Sequence, residues 1–384
     1  MRLTPKGFRR FKSSRLRWDL ICCEFSTARK PKVIRRKMTS EKIIFLTIGE
    51  PGYSRSWTYF NGARKLGANV EFIKMESESL TSQFLSLRKR LSRRHIYVVM
   101  SPSQYLVPFV RIFLGGKVIS DAGWSLFEGT VLARKRYGLF GFLALKTYLI
   151  DFISSHLAIK VIVESKNQAE FYSKMFLIKR SKITVLYTGL DEDSLQSAVN
   201  QIQIPNFFSN SKIVLFRGKY NRESGVEVIA AATKLLNSED ITFWIFCPGL
   251  PMNIEFSKNT YVNRSYVQAQ SEISAIYMSA QVTVGQMSRE KRLSRTIPHK
   301  AFESAYLSKP YITAGNSGIK ELFADQLEII CTRPGEAQDL ATKIKYLVNN
   351  PVSAKLIGKN MNLKYRDVCS QEILAKAFLQ LVSI

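Results

Sequence analysis

The chain has 384 residues, of which 46% are hydrophobic, and this predicts two domains with buried cores and excludes disorder throughout. Its formal net charge of +27 indicates anionic partners, such as nucleic acid, anionic lipid headgroups or a phosphorylated substrate. Nucleic acid is the least favoured of these partners, because the basic residues do not define a recognised nucleic-acid-binding module.

Residues 1–40 read as a basic tail, with thirteen Lys or Arg before Met38 against only Asp19 and Glu24. The apolar run at 20–23 is too short for a signal peptide, and no small-residue cleavage pattern follows it. Two interpretations stay open, namely a functional basic arm and an extension upstream of a true start at Met38.

The cysteines and histidines predict no metal site. The five cysteines and three histidines lack metal-ligand spacing, so no metal and no other cofactor is expected. Cys247 and Cys331 fall in apolar, strand-like runs, where buried reduced thiols indicate a reducing compartment. No stretch reaches the roughly eighteen apolar residues of a spanning helix. The cytoplasm is therefore the expected location.

From residue 42 onward, short β-branched runs alternate with helical patterns, which is typical of parallel α/β sheets. The strands predicted for the first half lie at 43–48, 69–74, 95–100, 117–120, 160–164 and 183–187. Crossover helices are predicted around 57–66 and 168–176. Together they predict a doubly wound, Rossmann-like domain over residues 41–205.

The same alternation restarts after a polar segment at 199–211. The runs KIVLF, ITFWIF, TYVN, QVTVG, KPYITAG and LEIIC predict a second doubly wound domain over 206–365. In the remaining segment, 366–384, Leu374, Phe378 and Leu381 have helical spacing, so this helix is expected to dock on an apolar surface. Two such domains facing each other create a cleft where the carboxyl ends of both sheets meet.

The most informative motif is IPHKAFESAYLSKPYITAGNSGIKELF, at 297–323. It resembles the donor-binding region of the family four retaining glycosyltransferases, also called glycosyl transferases group 1, and the resemblance extends over most of residues 42–380. In that family an Ile-Pro-x-Lys-x-x-Glu pattern opens a helix, and a Lys-Pro strand and a glycine-containing loop follow. Lys309 and Pro310 match the dipeptide, and Gly315, Asn316, Ser317 and Gly318 match the loop.

The resemblance implies the GT-B fold and a nucleotide-diphosphate sugar donor, whose ribose hydroxyls would meet Glu303. A carboxylate can accept hydrogen bonds from two vicinal hydroxyls, and the amides of the 315–318 loop suit a diphosphate. The alternative interpretation is an exposed helical carboxylate and glycines that merely turn the chain.

A second match is LFRGKYNRESGVEVIAAA, at 215–232. Lys219 occupies the position of the family's phosphate-binding Arg, and Gly225 fits the helix entry. The family's second basic residue, just before that glycine, is Ser224 here. Arg222 either supplies this charge or is a solvated loop arginine.

The resemblance breaks down at Arg295, which stands eight positions before Glu303, where the family has the first carboxylate of a Glu-x7-Glu pair. That carboxylate approaches the donor sugar in the family. Arg295 lies in a basic loop with Arg289, Lys291 and Arg292. The loop either binds diphosphate or a carboxylated sugar, with Arg295 among the catalytic residues, or is simply solvated.

The amino-terminal domain offers three further candidates. Gly49 and Gly52 follow the first strand, where they either let the backbone approach the donor or acceptor or form a tight turn. Asp121 is predicted just past the strand at 117–120, at the cleft. It would either orient or deprotonate an acceptor hydroxyl, or act as a turn or helix-capping aspartate.

The segment from Arg134 to Ile153 joins a basic cluster to an aromatic and aliphatic helix. A cationic helix with aromatic anchors suits an anionic membrane surface, and family members that act on lipid-linked acceptors bind the inner membrane face in this way. Because the segment is apolar nearly all round, a buried crossover helix is the competing interpretation.

The sequence thus predicts a retaining, metal-independent glycosyltransferase that moves a sugar to a glycan or lipid-linked acceptor. Surface polysaccharide, lipopolysaccharide or glycolipid assembly is the setting that the resemblance implies. A sugar-nucleotide epimerase or hydrolase of the same fold, and a non-catalytic nucleotide-sugar or polyanion-binding protein, are the alternatives.

Overall fold

A computed structural model describes residues 41–48, 54–196, 212–237, 240–265 and 270–383. The predicted basic tail, the loop containing Gly49 and Gly52, and the polar segment at 199–211 lie outside the described residues.

Six parallel strands form the sheet of the amino-terminal domain, in the order β2-β1-β3-β4-β5-β6. They are β1 (Ile43–Ile48), β2 (Val70–Met75), β3 (Ile96–Met100), β4 (Lys117–Gly123), β5 (Lys160–Val163) and β6 (Ile183–Val185). Each predicted strand is present in this sheet. The fourth is longer than predicted, because β4 continues through Asp121 to Gly123.

A second sheet of six parallel strands forms the carboxyl-terminal domain, in the order β12-β11-β10-β7-β8-β9. Its strands are β7 (Lys212–Arg217), β8 (Ile241–Phe246), β9 (Thr260–Asn263), β10 (Val282–Val284), β11 (Tyr311–Ala314) and β12 (Ile330–Thr332). The predicted architecture of two doubly wound domains is confirmed.

Helices cover both sheets. Those connecting strands in the amino-terminal domain are α1 (Ser54–Lys65), α2 (Leu80–Arg90), α3 (Leu106–Phe109), α4 (Phe142–Leu157) and α5 (Lys166–Met175). The remaining helices are α6 (Glu192–Gln196), α7 (Val226–Leu235), α8 (Gln270–Ser279), α9 (His299–Tyr306), α10 (Ser317–Lys320), α11 (Ala337–Asn349), α12 (Pro351–Val368) and α13 (Gln371–Val382). Within the described chain, none of the helices has the length and hydropathy needed to cross a membrane.

The amino-terminal sheet is buried on both faces, as expected for parallel strands covered by helices. Ile44 and Leu46 of β1 point to one core, whereas Ile43 and Phe45 point to the other. The second core is completed by the last helix, since Leu374 and Phe378 of α13 are buried against it. The carboxyl-terminal helix therefore docks on the amino-terminal domain, and this contact ties the two domains together.

The helix α4 corrects one of the two interpretations of its segment. Asp151, Ser154 and Ser155 are its buried residues besides Ala144, whereas Phe142 and Leu145 are exposed. Asp151 is drawn inward because its Oδ2 accepts hydrogen bonds from Ser125 Oγ at 2.7 Å and from the Phe127 amide at 2.9 Å. The helix is a crossover that packs Tyr148 and Phe152 against the core, but its other apolar residues are exposed, so the prediction of a buried crossover helix is only partly right.

Candidate active site

A cavity of about 440 Å³ lies between the carboxyl ends of the two sheets, where the sequence predicts the ligand cleft. The amino-terminal domain lines it with Thr47, Ile48, Ser101, Pro102, Trp124, Arg134 and Glu164. The carboxyl-terminal domain contributes Gln286, Arg292, Thr296, Ile297, Pro298 and His299. The cavity is thus lined by hydroxyl, amide, imidazole, guanidinium and carboxylate groups. It is large enough for part of a sugar nucleotide.

Glu303 lies beneath this cavity on α9 and is almost fully buried, with 3% of its surface exposed. Its Oε1 accepts from Arg217 and from His299 Nδ1, the latter at 3.2 Å, and its Oε2 accepts from the Tyr277 hydroxyl at 2.6 Å. Burial alone would raise the pKa of Glu303, but the charge of Arg217 and the bonds from His299 and Tyr277 hold that pKa well below its usual range. Glu303 is therefore a permanent anion with three internal donors.

His299 connects this buried network to the cavity. It stands at the start of α9, four residues before Glu303, so both side chains lie on one face of the helix. The ring lines the cavity while its Nδ1 contacts the Glu303 carboxylate. A hydrogen bond of this kind fixes the tautomer and orientation of an imidazole. His299 occupies the unspecified position of the Ile-Pro-x-Lys motif, which is why the motif did not single it out.

The predicted phosphate-binding segment follows β7. Lys219 is exposed, and Gly225 begins α7 with a φ of 62°, a left-handed conformation that favours glycine. Arg222 is half exposed and donates from Nε to Glu290 at 3.0 Å, so it serves a surface ion pair. Ser224 is buried and donates to the Asn221 carbonyl at 2.5 Å.

The loop from Gly315 to Gly318 packs against the basic loop. A Cβ at Gly318 would lie 2.4 Å from the Leu293 carbonyl oxygen and 2.5 Å from that of Thr296, so only glycine fits. The Asn316 side chain accepts from the amides of Gly318 and Ile319 at 3.1 and 3.3 Å, and Ser317 Oγ donates to the Ser294 carbonyl. The Gly318 amide, one of those that the sequence suggested for a diphosphate, is thus already capped inside the protein.

Arg295 bridges the two domains. Its Nε donates to Glu128 Oε1, and its guanidinium lies 5.0 Å from the centroid of the Phe171 ring. Its carbonyl accepts from Ser165 Oγ at 2.5 Å. Glu128 has no exposed surface. The arginine that replaces the family's first carboxylate therefore pairs with a carboxylate of the opposite domain, which excludes the interpretation of a solvated residue.

A second set of charges bridges the domains on the cavity wall. Two guanidinium groups lie near Trp124, with Arg292 at 4.9 Å and Arg134 at 5.7 Å from its ring centroid. Both arginines also donate to Oε1 of buried Glu223, at 2.9 and 3.3 Å. Arg134 therefore belongs to the interface between the domains and is not part of a free basic cluster.

Another opening between the domains, of about 490 Å³, lies beside Arg295. Asn167, Phe171 and Lys174 of α5 line it on one side, and Ser294, Arg295 and Ser317 line it on the other. Arg295 thus faces this opening, whereas His299 and Arg292 face the cavity of 440 Å³.

Asp121 lies inside β4 and does not reach the cleft, which corrects its predicted place beyond the strand end. It is fully buried and accepts from Arg55 Nε and Nη2 at 2.8 to 3.0 Å. Burial raises the pKa of Asp121, and the neighbouring guanidinium opposes that rise. The carboxylate anchors α1 to the sheet, because Arg55 also donates to the Leu186 carbonyl at 2.8 Å.

Among the described residues, Glu164 supplies the single carboxylate of the cavity wall. It directly follows β5, has 3% of its surface exposed and accepts from Thr188 Oγ1 at 3.4 Å. Glu164 was not among the residues predicted from the sequence, although the rule that ligands bind at the carboxyl ends of parallel strands applies to it directly. In the part of the chain that the structure describes, no three His, Cys, Asp or Glu side chains are grouped in a way that could hold a metal ion.

This architecture is similar to that of known glycosyltransferases. Residues 211–350 match the family model described as glycosyl transferases group 1. The chain has the GT-B fold, and the residues that match this family model lie within its carboxyl-terminal domain. None of the curated protein sequences matches this chain.

Several solved GT-B structures are similar over most of the chain. HepE from Anabaena in complex with UDP-glucose has a TM-score of 0.62 at 12% identity, covering 89% of this chain and 99% of its own. Sucrose-phosphate synthase from Thermosynechococcus elongatus has a TM-score of 0.67 at 14% identity, covering 89% and 98%. A glycosyltransferase from Rickettsia africae has a TM-score of 0.62 at 15% identity, covering 90% and 98%. At these identities the similarity establishes the GT-B fold.

Proposed function

We propose that this GT-B protein transfers a sugar from a nucleotide-diphosphate sugar to a glycan or lipid-linked acceptor. The observation that carries the proposal is the charged cavity between the carboxyl ends of the two sheets, lined by Glu164 from one domain and His299 from the other. The group 1 match of the carboxyl-terminal domain supports glycosyl transfer, and the GT-B neighbour HepE is described in complex with UDP-glucose.

The donor is assigned to the carboxyl-terminal domain. Lys219 is exposed beside the carboxyl end of β7, where it can contact the diphosphate. Glu303 acts through His299, because its carboxylate holds the imidazole that reaches the cavity. Negative charge grows on the departing diphosphate during transfer, and preorganised cations at that place are the largest electrostatic aid that a protein can offer.

The acceptor is assigned to the amino-terminal domain, where Glu164 takes the role that the sequence gave to Asp121. A buried carboxylate in the cavity wall can orient an attacking hydroxyl within hydrogen-bond reach. Retention of configuration and independence of metal follow the family pattern and are part of the proposal. Closure of the domains across Arg295 and Glu128 keeps water from the donor and limits its hydrolysis.

The acceptor is proposed to be lipid-linked because of the surface of α4. Phe140 is 97% exposed and Phe142 is 79% exposed, and Leu145, Leu149 and Ile153 continue the apolar face along the helix. Lys135, Arg136 and Lys146 are exposed nearby, all three in the segment 134–153. Aromatic and aliphatic side chains beside cations suit the interface of an anionic membrane, so a location on the inner face of the cell membrane follows.

One measurement tests the function. Purified protein is incubated with a panel of nucleotide sugars, with and without membrane lipid extract, and the release of nucleotide diphosphate is followed. Release that requires the acceptor supports transfer, and release without acceptor indicates the epimerase or hydrolase. Glu303→Ala should abolish release, and EDTA should leave it unchanged. If no donor binds, or if Glu303→Ala is as active as the wild type, the proposal is refuted.

Flotation with anionic vesicles tests the membrane contact. Phe140→Ser combined with Phe142→Ser should release the protein from vesicles, as should charge reversal at Lys135 and Arg136. Met252→Ser is the matched control, because Met252 is 79% exposed in the other domain. Arg134 is left intact, since its removal would disturb the ion pair with Glu223. Flotation that both multiple variants retain would exclude this surface.

A further inference from the structure

We propose that Lys300 is a second cationic contact for the donor diphosphate, in place of the basic residue that the resemblance places at Ser224. This inference rests on the proposed glycosyltransferase function. Lys300 is the lysine of the Ile-Pro-x-Lys motif, and the position of its ammonium group carries the inference.

The Lys300 ammonium lies against the backbone where the chain leaves β7. Lys300 belongs to the first turn of α9, and its Nζ is 4.7 Å from the centroid of the Phe216 ring. A Cβ at Gly218 would lie 2.6 Å from Nζ, so any larger residue there would displace the ammonium from its present position. The next residue is Lys219, the predicted phosphate contact. The carboxyl end of β7 therefore has two lysines beside it.

Lys300 lacks an acceptor of its own. Within the part of the chain that the structure describes, its Nζ makes no hydrogen bond and no ion pair. Its ammonium makes a cation–π contact with the Phe216 ring. Burial, aided by the charge of Arg217, lowers the pKa of Lys300 to about 8, while Glu303 and Glu223 oppose this effect from a distance. A partly buried cation without a partner among the described residues is costly, and an anionic ligand would reduce that cost.

Lys309 shows how this domain satisfies a lysine that has only a structural role. Its Nζ donates to the carbonyls of Met278 and Ala280, at 2.7 and 3.0 Å. Lys300 is nine positions earlier and has no such carbonyls. It is partly exposed, so a ligand can reach it. The contrast indicates that the partner of Lys300 is a ligand and not the protein.

The position that the resemblance assigns to the second cation cannot serve a ligand. Ser224 is 1% exposed, and its hydroxyl donates to the Asn221 carbonyl at 2.5 Å. Arg222 is engaged with Glu290 at 3.0 Å. Lys300 is thus the residue beside Lys219 whose charge is not already used.

Calorimetric titration with inorganic pyrophosphate, UDP and uridine tests the assignment. Lys300→Met should weaken pyrophosphate and UDP by about ten- to hundredfold, the loss expected for one charge-assisted contact, and should leave uridine unchanged. Gly218→Ala should act in the same way, because its Cβ would displace the ammonium. Lys300→Arg should retain more affinity than Lys300→Met. Lys234→Met, at an exposed lysine of the same domain, is the control.

The two levels of the proposal fail in different ways. If the wild type binds and uses a nucleotide sugar, and Lys300→Met and Gly218→Ala bind UDP and pyrophosphate within about twofold of it, Lys300 has no such role while the proposed function stands. If the wild type binds neither pyrophosphate nor any nucleotide, both are refuted. Pyrophosphate is included because it reports the diphosphate contact whatever base the donor carries.

Discussion

Removing the Arg295 guanidinium should weaken the contact between the domains. In Arg295→Met, the carboxylate of Glu128 stays buried with no exposed surface, while its ion pair with Arg295 is lost. Among the described residues, its Oε2 has no partner to compensate. Breaking a buried pair in this way costs about 3–5 kcal/mol. Glu128→Gln should cost less, about 1–2 kcal/mol, because the Arg295 side chain is already 24% exposed and can turn to solvent.

A double-mutant cycle isolates the pair. In Arg295→Met/Glu128→Gln neither charge remains, so the double variant should be more stable than Arg295→Met alone, with a coupling of about 2 kcal/mol or more. Urea unfolding followed by tryptophan fluorescence is the assay, because Trp124 contacts Arg292 and Arg134 at the same interface. A coupling below about 0.5 kcal/mol would show that the two charges do not interact across the cleft.

Charge reversal sharpens the same test. Arg295→Glu restores the Glu-x7-Glu spacing of the family, yet it sets a carboxylate against buried Glu128 and should lower stability further than Arg295→Met. Adding Glu128→Arg restores an ion pair of opposite sense and should recover most of that loss. If Arg295→Glu alone were as stable as the wild type and more active, the position would have the family's role after all.

Two other predictions concern buried carboxylates. Glu303→Gln leaves Arg217 without its counter-charge, so the free energy of unfolding of the carboxyl-terminal domain should fall by about 3 kcal/mol. Donor affinity should fall as well. Thermal unfolding and UDP titration measure the two effects, and unchanged values for both would contradict the network. Burial raises the pKa of Asp151 to about 7, so the folded chain holds a proton that the unfolded chain releases near pH 4, and stability falls as pH rises from about 4 to 7. Asp151→Asn should remove that loss, which is about 4 kcal/mol in all and about 3 kcal/mol between pH 5 and pH 8, and unfolding of both proteins at these two pH values measures it.

The fold was predictable from the sequence because both domains repeat one local pattern. Strands such as Ile43–Ile48 and Ile241–Phe246 are continuous apolar runs bounded by polar turns, and a parallel sheet covered on both faces requires such runs. The cleft follows from the same pattern, since the carboxyl ends of parallel strands meet at one edge of each sheet.

The roles of individual side chains were less predictable, because their partners lie far away in the sequence. Asp121 pairs with Arg55, 66 residues earlier, and Arg295 pairs with Glu128, 167 residues earlier. No local spacing reveals such pairs. The exposure of Asp121 depends on where β4 ends. Because the strand continues through Asp121 to Gly123, this residue is buried and does not line the cleft.

Helix α4 illustrates a different limit. A segment that is apolar nearly all round indicates a buried helix. Composition alone does not show which polar side chains have hydrogen-bond partners within the domain. Asp151 accepts hydrogen bonds from two donors beneath the helix and is buried, whereas Phe142 and Leu145 are exposed. The direction of an amphipathic helix thus depends on tertiary hydrogen bonds as well as on its own composition.

The division of the candidate residues between the domains leads to a last prediction. Lys219, Lys300 and Glu303 all lie in the carboxyl-terminal domain, whereas Glu164 reaches the cavity from the other side. Donor binding should therefore survive opening of the cleft, but transfer should not. Arg295→Met should keep UDP affinity within about threefold of the wild type, while its acceptor-dependent turnover should fall at least tenfold. Glu164→Gln should show the same retained affinity and the same loss of turnover. The two variants differ in solution scattering, because only Arg295→Met releases a contact between the domains and should be more extended. Equal loss of UDP affinity in both variants would mean that the donor site itself spans the cleft.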